Sequence, residues 1–305
     1  MSREPDLSVK IANMILKSPV MNASGTFDLI YEPSYSANGL GAFIPKSVAL
    51  HEHHGEQAAS IFEAEGSLFN AATFLSDGID FFEKQVMPDY TIDELPLIIN
   101  ISGETADEFA SVVERLEKHD TIKALELNLS CPNLDDNGEM FGLLSETTYS
   151  LVSKVRSVTD KPLIAKLSPN VTRIQEITLA AEQGGADAFT VANAFQAMSI
   201  DIETRKPKLG IVSGSLSGGT IRPLIVYLIF QVNQVSHLPI IGSGGVLSGR
   251  DAIEMILAGA SAVQVGTTNV LNPAVMIKIT NEIKDYLIAH HIPSISDLIG
   301  QVDLS

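Results

Sequence analysis

The sequence is poor in cysteine, tryptophan and positive charge. It has one cysteine and no tryptophan in 305 residues, and 20 lysines and arginines against 37 aspartates and glutamates give a net charge of −17. A single cysteine forms no internal disulfide, so a reducing cytoplasm is the expected compartment. One thiolate also cannot hold an iron–sulfur cluster. The charge argues against a nucleic-acid partner, because such surfaces need clustered lysine and arginine.

Membrane, dinucleotide and metal signals are also missing. No apolar run reaches the ~18 residues of a membrane span, and "MSREPDLSVK" lacks the apolar segment of a secretory signal. We therefore expect no membrane association. No G-x-G-x-x-G fingerprint of a dinucleotide site is present. His51, His53 and His54 match no metal-binding motif, so a solvated loop is the preferred interpretation and no metal is expected.

Short apolar runs instead alternate with longer stretches of helical period. The runs predict eight strands, at Ser18–Ser24, Gly41–Val48, Pro96–Ser102, Ala124–Ser130, Pro162–Ser168, Ala188–Asn193, Pro239–Gly245 and Ala262–Thr268. Stretches such as "TADEFASVVERLEKH", "SETTYSLVSKVRSV", "RIQEITLAAEQGG" and "GRDAIEMILAG" predict amphipathic helices, the first capped by Thr105 with Glu108. Repeated βα units form a parallel sheet, either a (β/α)8 TIM barrel or an open doubly wound sheet.

Polar residues at the strand ends distinguish these two folds. Lys46, Asn100, Asn128, Lys166 and Asn193 lie at or near the C-terminal ends of different predicted strands. A barrel gathers these ends on one face, where catalytic groups lie, whereas an open sheet spreads them along an edge. We therefore predict an α/β (β/α)8 barrel, although these residues could instead form a structural hydrogen-bond network.

Two segments are too long for simple loops, Leu50–Phe82 and Ala194–Gly214. They predict a small cap built from insertions over the C-terminal face of the barrel. No low-complexity stretch or linker divides the chain, so we expect residues 1–305 to form a single domain.

Glycine-rich turns follow the last two predicted strands, in "IIGSGGVLSGRDA" and "VQVGTTN", and a third lies in "SGSLSGGTIRP" (Ser213–Pro223). Glycine lets backbone N–H groups approach an anion, and a helix start near Ser248–Gly249 would add its positive dipole end. Barrel enzymes commonly bind phosphate here, although such glycines can also simply make tight turns.

A flavin mononucleotide (FMN) with its phosphate at these turns would reach Lys166, which would stabilise the reduced ring. Otherwise a buried lysine needs a carboxylate partner or another bound anion.

Several motifs carry a resemblance to a known family. "LNLSCPN", "AKLSPNV", "SIDIETRKP", "LSGGTIRP" and "GSGGVLSGRDAIEMILAGASAVQVGT" closely resemble the soluble family-1 dihydroorotate dehydrogenases, over nearly the whole chain. The flanking sequence is more similar to the NAD-linked subgroup than to the fumarate-reducing one. In that subgroup the FMN-binding catalytic subunit pairs with a partner that carries FAD and an iron–sulfur cluster. The resemblance therefore implies a homodimer or a heterotetramer with such a partner.

The resemblance also assigns roles to individual residues. It implies FMN contacts from Ala23, Ser24, Gly25, Lys46, Asn100, Asn128 and Lys166, with Ser217, Gly218, Gly244, Gly245, Gly266 and Thr267 around the phosphate. It implies substrate contacts from Lys46, Asn70, Asn128, Asn133 and Asn193, with Cys131 as the catalytic base. Lys46 would act beside Cys131, because it would touch both substrate and flavin.

The implied reaction oxidises dihydroorotate to orotate in pyrimidine biosynthesis. A hydride passes to FMN N5 and a proton to Cys131, whose ordinary pKa of about 8.5 comes within reach of neutral pH if neighbours stabilise the thiolate. The alternatives are a flavin-binding paralogue that acts on a different dihydropyrimidine-like substrate, and a non-catalytic flavin- or phosphate-binding interaction subunit.

Departures from the family pattern cluster around the substrate. In the divergent loop 70–80, "NAATFLSDGID", Thr73, Ser76 and Asp77 replace a usual glycine, asparagine and proline. Ala194 replaces a usual threonine or serine, and Ser215 and Gly219 replace a usual glycine and proline. These changes leave the predicted flavin site nearly intact, so they bear on which substrate is bound.

Overall fold

The computed structural model of the chain describes residues 4–27, 39–53, 61–64, 66–71, 76–90 and 95–305. Within these residues the centre is a curled sheet of seven parallel strands. They are Val20–Asn22, Leu97–Ile101, Ile122–Asn128, Leu163–Lys166, Ala188–Val191, Ile240–Ser243 and Ala262–Val265. Neighbours in the sheet follow chain order from Leu97–Ile101 onward, and Ala262–Val265 then pairs with Val20–Asn22. All seven fall inside predicted strands except for a two-residue extension at Ile122, and the wraparound pairing is that of a barrel.

The eighth predicted strand, Gly41–Val48, closes the ring without a continuous ladder. Isolated parallel bridges connect it to both neighbours: Met21 with Ala42, Phe43 with Leu97, and Val48 with Ile101. Pro45 interrupts the ladder because it has no N–H to donate. Asn22 compensates beside it, since its Oδ1 accepts from the Ile44 N–H at 3.0 Å and its Nδ2 donates to the Ile44 carbonyl at 2.5 Å. The predicted (β/α)8 barrel is confirmed, with one strand reduced to bridges.

Helices pack around the outside of the sheet. In the described residues the longer ones are Ala106–Glu117, Ser145–Arg156, Ile174–Gln183, Arg222–Asn233, Gly249–Ala258 and Val275–Ala289, with short helices at Gly78–Phe81 and Thr267–Leu271. Thr105 caps the first of them, because its hydroxyl accepts from the Glu108 N–H at 3.2 Å. The Glu108 carboxylate bonds the N–H of Glu104 rather than that of Thr105, so the capping box is shifted by one residue.

The two long insertions form the predicted cap. In their described parts, four antiparallel strands make a sheet in the order Phe195–Ala197, Gly214–Gly218, Ser67–Asn70 and Ile61–Ala64. The remaining short strands pair as Val9–Ile11 with Met14–Leu16, Glu52–His53 with Ser76–Asp77, Pro132–Asn133 with Glu139–Met140, and Ile200–Asp201 with Lys206–Pro207. The cap strand Gly214–Gly218 carries Ser217 and Gly218 toward the barrel mouth, because it ends at the turn into the helix Arg222–Asn233.

In the described residues, one hydrophobic core extends from Val9 to Leu298. No helix in the described part of the chain is long and apolar enough to cross a membrane. The described residues also contain no group of three or more histidine, cysteine, aspartate or glutamate side chains that could hold a metal ion. His54, one of the clustered histidines, lies outside the described residues.

Candidate active site

The strand ends bring the predicted polar residues to one face of the barrel. Lys166 is the register partner of Asn128 on the neighbouring strand. The Asn193 Nδ2 donates to the Asn128 Oδ1 at 2.9 Å, which adds the end of one further strand, Ala188–Val191. Asn100, one strand along, is buried at the same face. Four of the five strand-end residues therefore converge, as a barrel requires.

Two adjoining cavities open at this face. The first has a volume of about 360 Å³ and is lined by Cys131, Asn128 and Ser102 among others. The second, of about 250 Å³, is lined by Lys166 and by residues of several glycine-rich turns. Asn70, Asn193, Ala194 and Ser215 line both cavities, so the two lie side by side. Sites for small molecules and cofactors commonly have this size and setting.

The second cavity collects most of the residues predicted to hold a flavin and its phosphate. Those that line it are Ala23, Ser24, Lys166, Ser217, Gly218, Gly244, Gly245, Gly266 and Thr267. Gly25 follows Ser24 directly and has a φ of 74°, while Asn100 is buried and lines neither cavity. Among the described lining residues, Lys166 is the only charged one. An anion at the glycine end would therefore meet neutral N–H and hydroxyl donors.

Close packing fixes the glycine turn after the strand Ile240–Ser243. Gly244 and Gly245 have φ values of 122° and 82°, which favour glycine. A Cβ on Gly245 would lie 2.7 Å from Cβ and 2.9 Å from N of Arg222, so the turn packs directly against the first residue of the helix Arg222–Asn233. These two glycines are required by the fold itself, and the backbone they shape lines the second cavity.

The helix start near Ser248–Gly249 does not contribute as expected. Neither residue lines the second cavity. The Ser248 hydroxyl accepts from the Asp251 N–H at 3.4 Å, and the Gly249 N–H donates to the Glu282 carboxylate at 2.6 Å. Because these first N–H groups are already bonded, the donors that face the cavity come from the glycine turns instead.

Cys131 lies in the wall of the first cavity and is 3 % exposed. Burial raises the pKa of its thiol to about 11, and the nearby charge of Glu104 adds to this rise. Hydrogen bonds from the Gly103 backbone and the Ser102 side chain act in the opposite direction and lower it. The thiol is therefore protonated at neutral pH, beside two donors placed to stabilise a thiolate.

Comparison with known proteins identifies the family. Residues 6–287 match the sequence model of the family described as dihydroorotate dehydrogenase. The chain belongs to the dihydroorotate dehydrogenase family. A protein of Geobacter metallireducens is 40 % identical over 304 residues, which is 99 % of this chain and 100 % of the relative. A protein of Desulforudis audaxviator is 42 % identical over 295 residues, 96 % of each chain.

A third relative, from Bacteroides thetaiotaomicron, is 38 % identical over 301 residues, which is 98 % of this chain and 99 % of the relative. All three relatives are named dihydroorotate dehydrogenase B (NAD(+)), catalytic subunit. The resemblance to the NAD-linked subgroup is thereby confirmed. Dihydroorotate dehydrogenases are FMN-binding oxidoreductases that act on a CH–CH group.

Lys46 lies apart from the cluster that the family resemblance assigns to it. Its side chain is exposed and lines a third pocket of about 100 Å³, which also contains Ser76, Asp77 and Phe82 and shares Ser47 with the first cavity. Ser47, the next residue, lines the first cavity, and its hydroxyl donates to the Asn100 Oδ1 at 2.5 Å. The role of Lys46 toward substrate and flavin stays a prediction, which would require its side chain to turn inward.

Of the other predicted substrate residues, some line the cavities and one lies outside the described part of the structure. Asn70 lines both cavities, whereas the side chain of Asn133 lies outside the described part of the structure. Asn170, which the sequence analysis did not single out, also lines the first cavity. Its Oδ1 accepts from the Gln196 N–H at 2.9 Å and so ties the cap strand to the barrel. The proline–asparagine pair in "LSPN" was the available signal for it.

The family departures lie where they can affect the substrate. Ala194 and Ser215 line both cavities. Ser76 is used structurally, because its hydroxyl accepts from the N–H groups of Ala49 at 3.1 Å and Gly78 at 3.2 Å. Thr73 falls outside the described residues. Two of the altered side chains, Ala194 and Ser215, therefore lie where the two cavities meet.

A buried carboxylate that the sequence analysis missed lies beneath both cavities. Glu126 is 0 % exposed and points into the barrel from the strand Ile122–Asn128. Its two oxygens accept hydrogen bonds from Asn100, Thr190 and Gln264, each at 2.6 Å. Lys166 Nζ lies 3.5 Å from Glu126 Oε1. The buried lysine therefore has the carboxylate partner that its burial demands, and burial alone no longer implies a bound anion.

Proposed function

We propose that this chain is the catalytic subunit of an NAD-linked dihydroorotate dehydrogenase that oxidises dihydroorotate to orotate in pyrimidine biosynthesis. The observation that carries the proposal is the placement of a buried thiol and a buried ammonium in adjoining cavities. Cys131 lines one, Lys166 lines the other, and the Asn128–Asn193 hydrogen bond lies between them. A proton acceptor and a flavin site side by side are what removal of two hydrogens from neighbouring carbons requires.

FMN fits the residues around the second cavity. The glycine turns offer backbone N–H groups at one end, and Thr267 donates to the Ser217 hydroxyl at 2.8 Å beside them. Such clusters of neutral donors are a recurrent phosphate site. Lys166 at the other end would face the ring, and Ala23 and Ser24 would line it. Bound FMN would supply the two-electron acceptor for the hydride.

The chain's own residues would manage the proton. Cys131 would remove it from the carbon next to the one that gives up the hydride, and the electrons of that C–H bond would form the new double bond. Ser102 and the Gly103 N–H would stabilise the thiolate before proton transfer. Asn70, Asn128 and Asn193, which border the first cavity, would bind the polar ring edge of the substrate.

The raised pKa of Cys131 predicts a pH dependence. Because the thiolate is the base and the pKa of the thiol is about 11, only a small fraction is active at neutral pH. The rate of flavin reduction by dihydroorotate should therefore rise about tenfold per pH unit from pH 7 toward the pKa. Anaerobic stopped-flow measurements between pH 6 and 10 check this. A rate that is flat over the whole range would show that bound substrate lowers the pKa or that another group takes the proton.

Anaerobic mixing tests the proposed function. The purified protein should be yellow and release FMN on denaturation, and dihydroorotate should bleach the visible absorbance of the flavin. A folded protein that takes up no FMN overturns the proposal. An FMN-bound protein that dihydroorotate does not bleach, but another dihydropyrimidine does, would assign a changed substrate. Ala194, Ser215 and the loop 70–80 are the positions that favour this second candidate.

The electron acceptor requires a second protein. This chain has one cysteine and no dinucleotide fingerprint, so it offers neither an iron–sulfur cluster nor an NAD site of the common type. The relatives are named as catalytic subunits. We infer a partner subunit that carries FAD and an iron–sulfur cluster and passes the electrons to NAD, in a heterotetramer built on a homodimer of this chain.

A further inference from the structure

Glu126 is the centre of a polar network inside an apolar barrel. The residues before and after it in the strand, Leu125 and Leu127, are fully buried core residues, and Glu126 is as buried as they are. Taking a carboxylate out of water is costly, so a buried one persists only when it is fully hydrogen-bonded or paired. Glu126 has both, with three hydrogen bonds and one ammonium.

The network reaches the second cavity through Lys166. Lys166 lines that cavity, and its side chain is 9 % exposed, whereas Glu126 lines neither cavity. Gln264 is the bridge, because its Nε2 donates to Glu126 at 2.6 Å and its Oε1 lies 3.5 Å from Lys166 Nζ. Two acceptors from beneath thus hold the ammonium, and its remaining hydrogen-bonding capacity faces the cavity.

We propose that Glu126 is a positioning residue that also sets the charge of the flavin site. It holds the Lys166 ammonium at the cavity wall and cancels most of the lysine's positive charge there. The inference rests on the proposed FMN site and adds to it a residue that does not touch the cofactor. Its consequence is that FMN bound here is harder to reduce than it would be beside an unopposed lysine.

Neutralising Glu126 while keeping its shape tests the inference. In Glu126→Gln holoprotein at pH 7, the site gains one net positive charge, so the anionic reduced ring is favoured. Sulfite is a suitable probe, since it adds reversibly to oxidised flavin and leaves the ring negatively charged. We expect sulfite to bind about tenfold or more tightly, because opposite charges a few ångströms apart interact strongly in a poorly solvated site. The midpoint potential should rise by at least about 30 mV, the equivalent of tenfold for a two-electron couple.

Thr190→Val is the matched control. It deletes one hydrogen bond to the same carboxylate, the one from Thr190 at 2.6 Å, and leaves the charge in place. A purely structural role for Glu126 would lower the melting temperature of both variants and leave the sulfite affinity of both unchanged. The inference predicts tighter sulfite binding in Glu126→Gln alone.

The outcomes separate this inference from the proposed function. FMN-loaded Glu126→Gln with wild-type sulfite affinity and potential overturns the role of Glu126 and leaves the proposed function standing. A wild-type protein that binds no FMN overturns both. If Glu126→Gln does not fold, Glu126→Asp serves instead, because its carboxylate recedes from Lys166 by one methylene. A potential that is unchanged or more negative in that variant contradicts the inference, and a smaller positive shift supports it.

Discussion

Replacing Cys131 with alanine is expected to slow flavin reduction by dihydroorotate by about 10²–10⁴-fold while FMN stays bound. Cys131 lines the first cavity and not the second, so its removal should leave the flavin site intact. The side chain is small and the change removes only a sulfur atom from the wall, so the free energy of unfolding should fall by about 1 kcal/mol. Anaerobic stopped-flow absorbance at saturating dihydroorotate gives the rate.

Dithionite is the control for this variant, because it reduces flavin without needing a base in the substrate cavity. Equal rates of dithionite reduction in the wild type and in Cys131→Ala would show that the flavin remains accessible and competent. Cys131→Ser should be intermediate at best, since a hydroxyl is far less acidic than a thiol. Wild-type reduction by dihydroorotate in Cys131→Ala would remove this residue from the mechanism.

Much of the barrel could be predicted from the sequence, because its strands are buried on both sides. Such strands appear as continuous apolar runs, and their C-terminal ends stand out where polar residues begin. The run Gly41–Val48 looked equivalent to the others but forms only isolated bridges. The difference comes from Pro45 and from the side-chain bonds of Asn22, which become effective only when the two segments are adjacent in space.

The same irregularity explains why the position of Lys46 could not be predicted. Side chains alternate between the faces of a regular strand, and a shift of one residue reverses every side chain. Between the bridges at Phe43 and Val48 this segment has one residue more than its partner has between Leu97 and Ile101, and Ser47 rather than Lys46 lines the first cavity. The local sequence shows which residue types follow Pro45, but it does not show which of their side chains face the cavity.

Glu126 was missed for a different reason. A single charged residue in an apolar run is most simply interpreted as facing solvent, since charged residues are rarely buried without partners. Its partners come from three other strands and are separated from it by between 26 and 138 positions in the chain. Only closure of the barrel brings Asn100, Thr190 and Gln264 to one point, so no local pattern could have revealed the network.

Replacing Lys166 with methionine is expected to weaken FMN binding and to destabilise the protein. The variant leaves the Glu126 carboxylate buried without its cation, although Asn100, Thr190 and Gln264 still donate to it. Breaking a buried ion pair by removing one partner typically costs about 3–5 kcal/mol, and the remaining donors place the loss near the lower end of that range. Chemical denaturation of the apoprotein and fluorescence titration with FMN measure the two effects.

The double variant Lys166→Met/Glu126→Gln separates the two roles of the lysine. Removing the orphaned charge should restore most of the lost free energy of unfolding, because the penalty belongs to the unpaired carboxylate and not to the missing ammonium. FMN binding should stay weakened, since Lys166 then no longer offers its ammonium N–H groups to the flavin ring from the wall of the second cavity. Stability that is not restored would show that the two groups are uncoupled in spite of their 3.5 Å separation. Wild-type FMN affinity in either variant would exclude Lys166 as the flavin lysine, and the phosphate turns would then carry the binding alone.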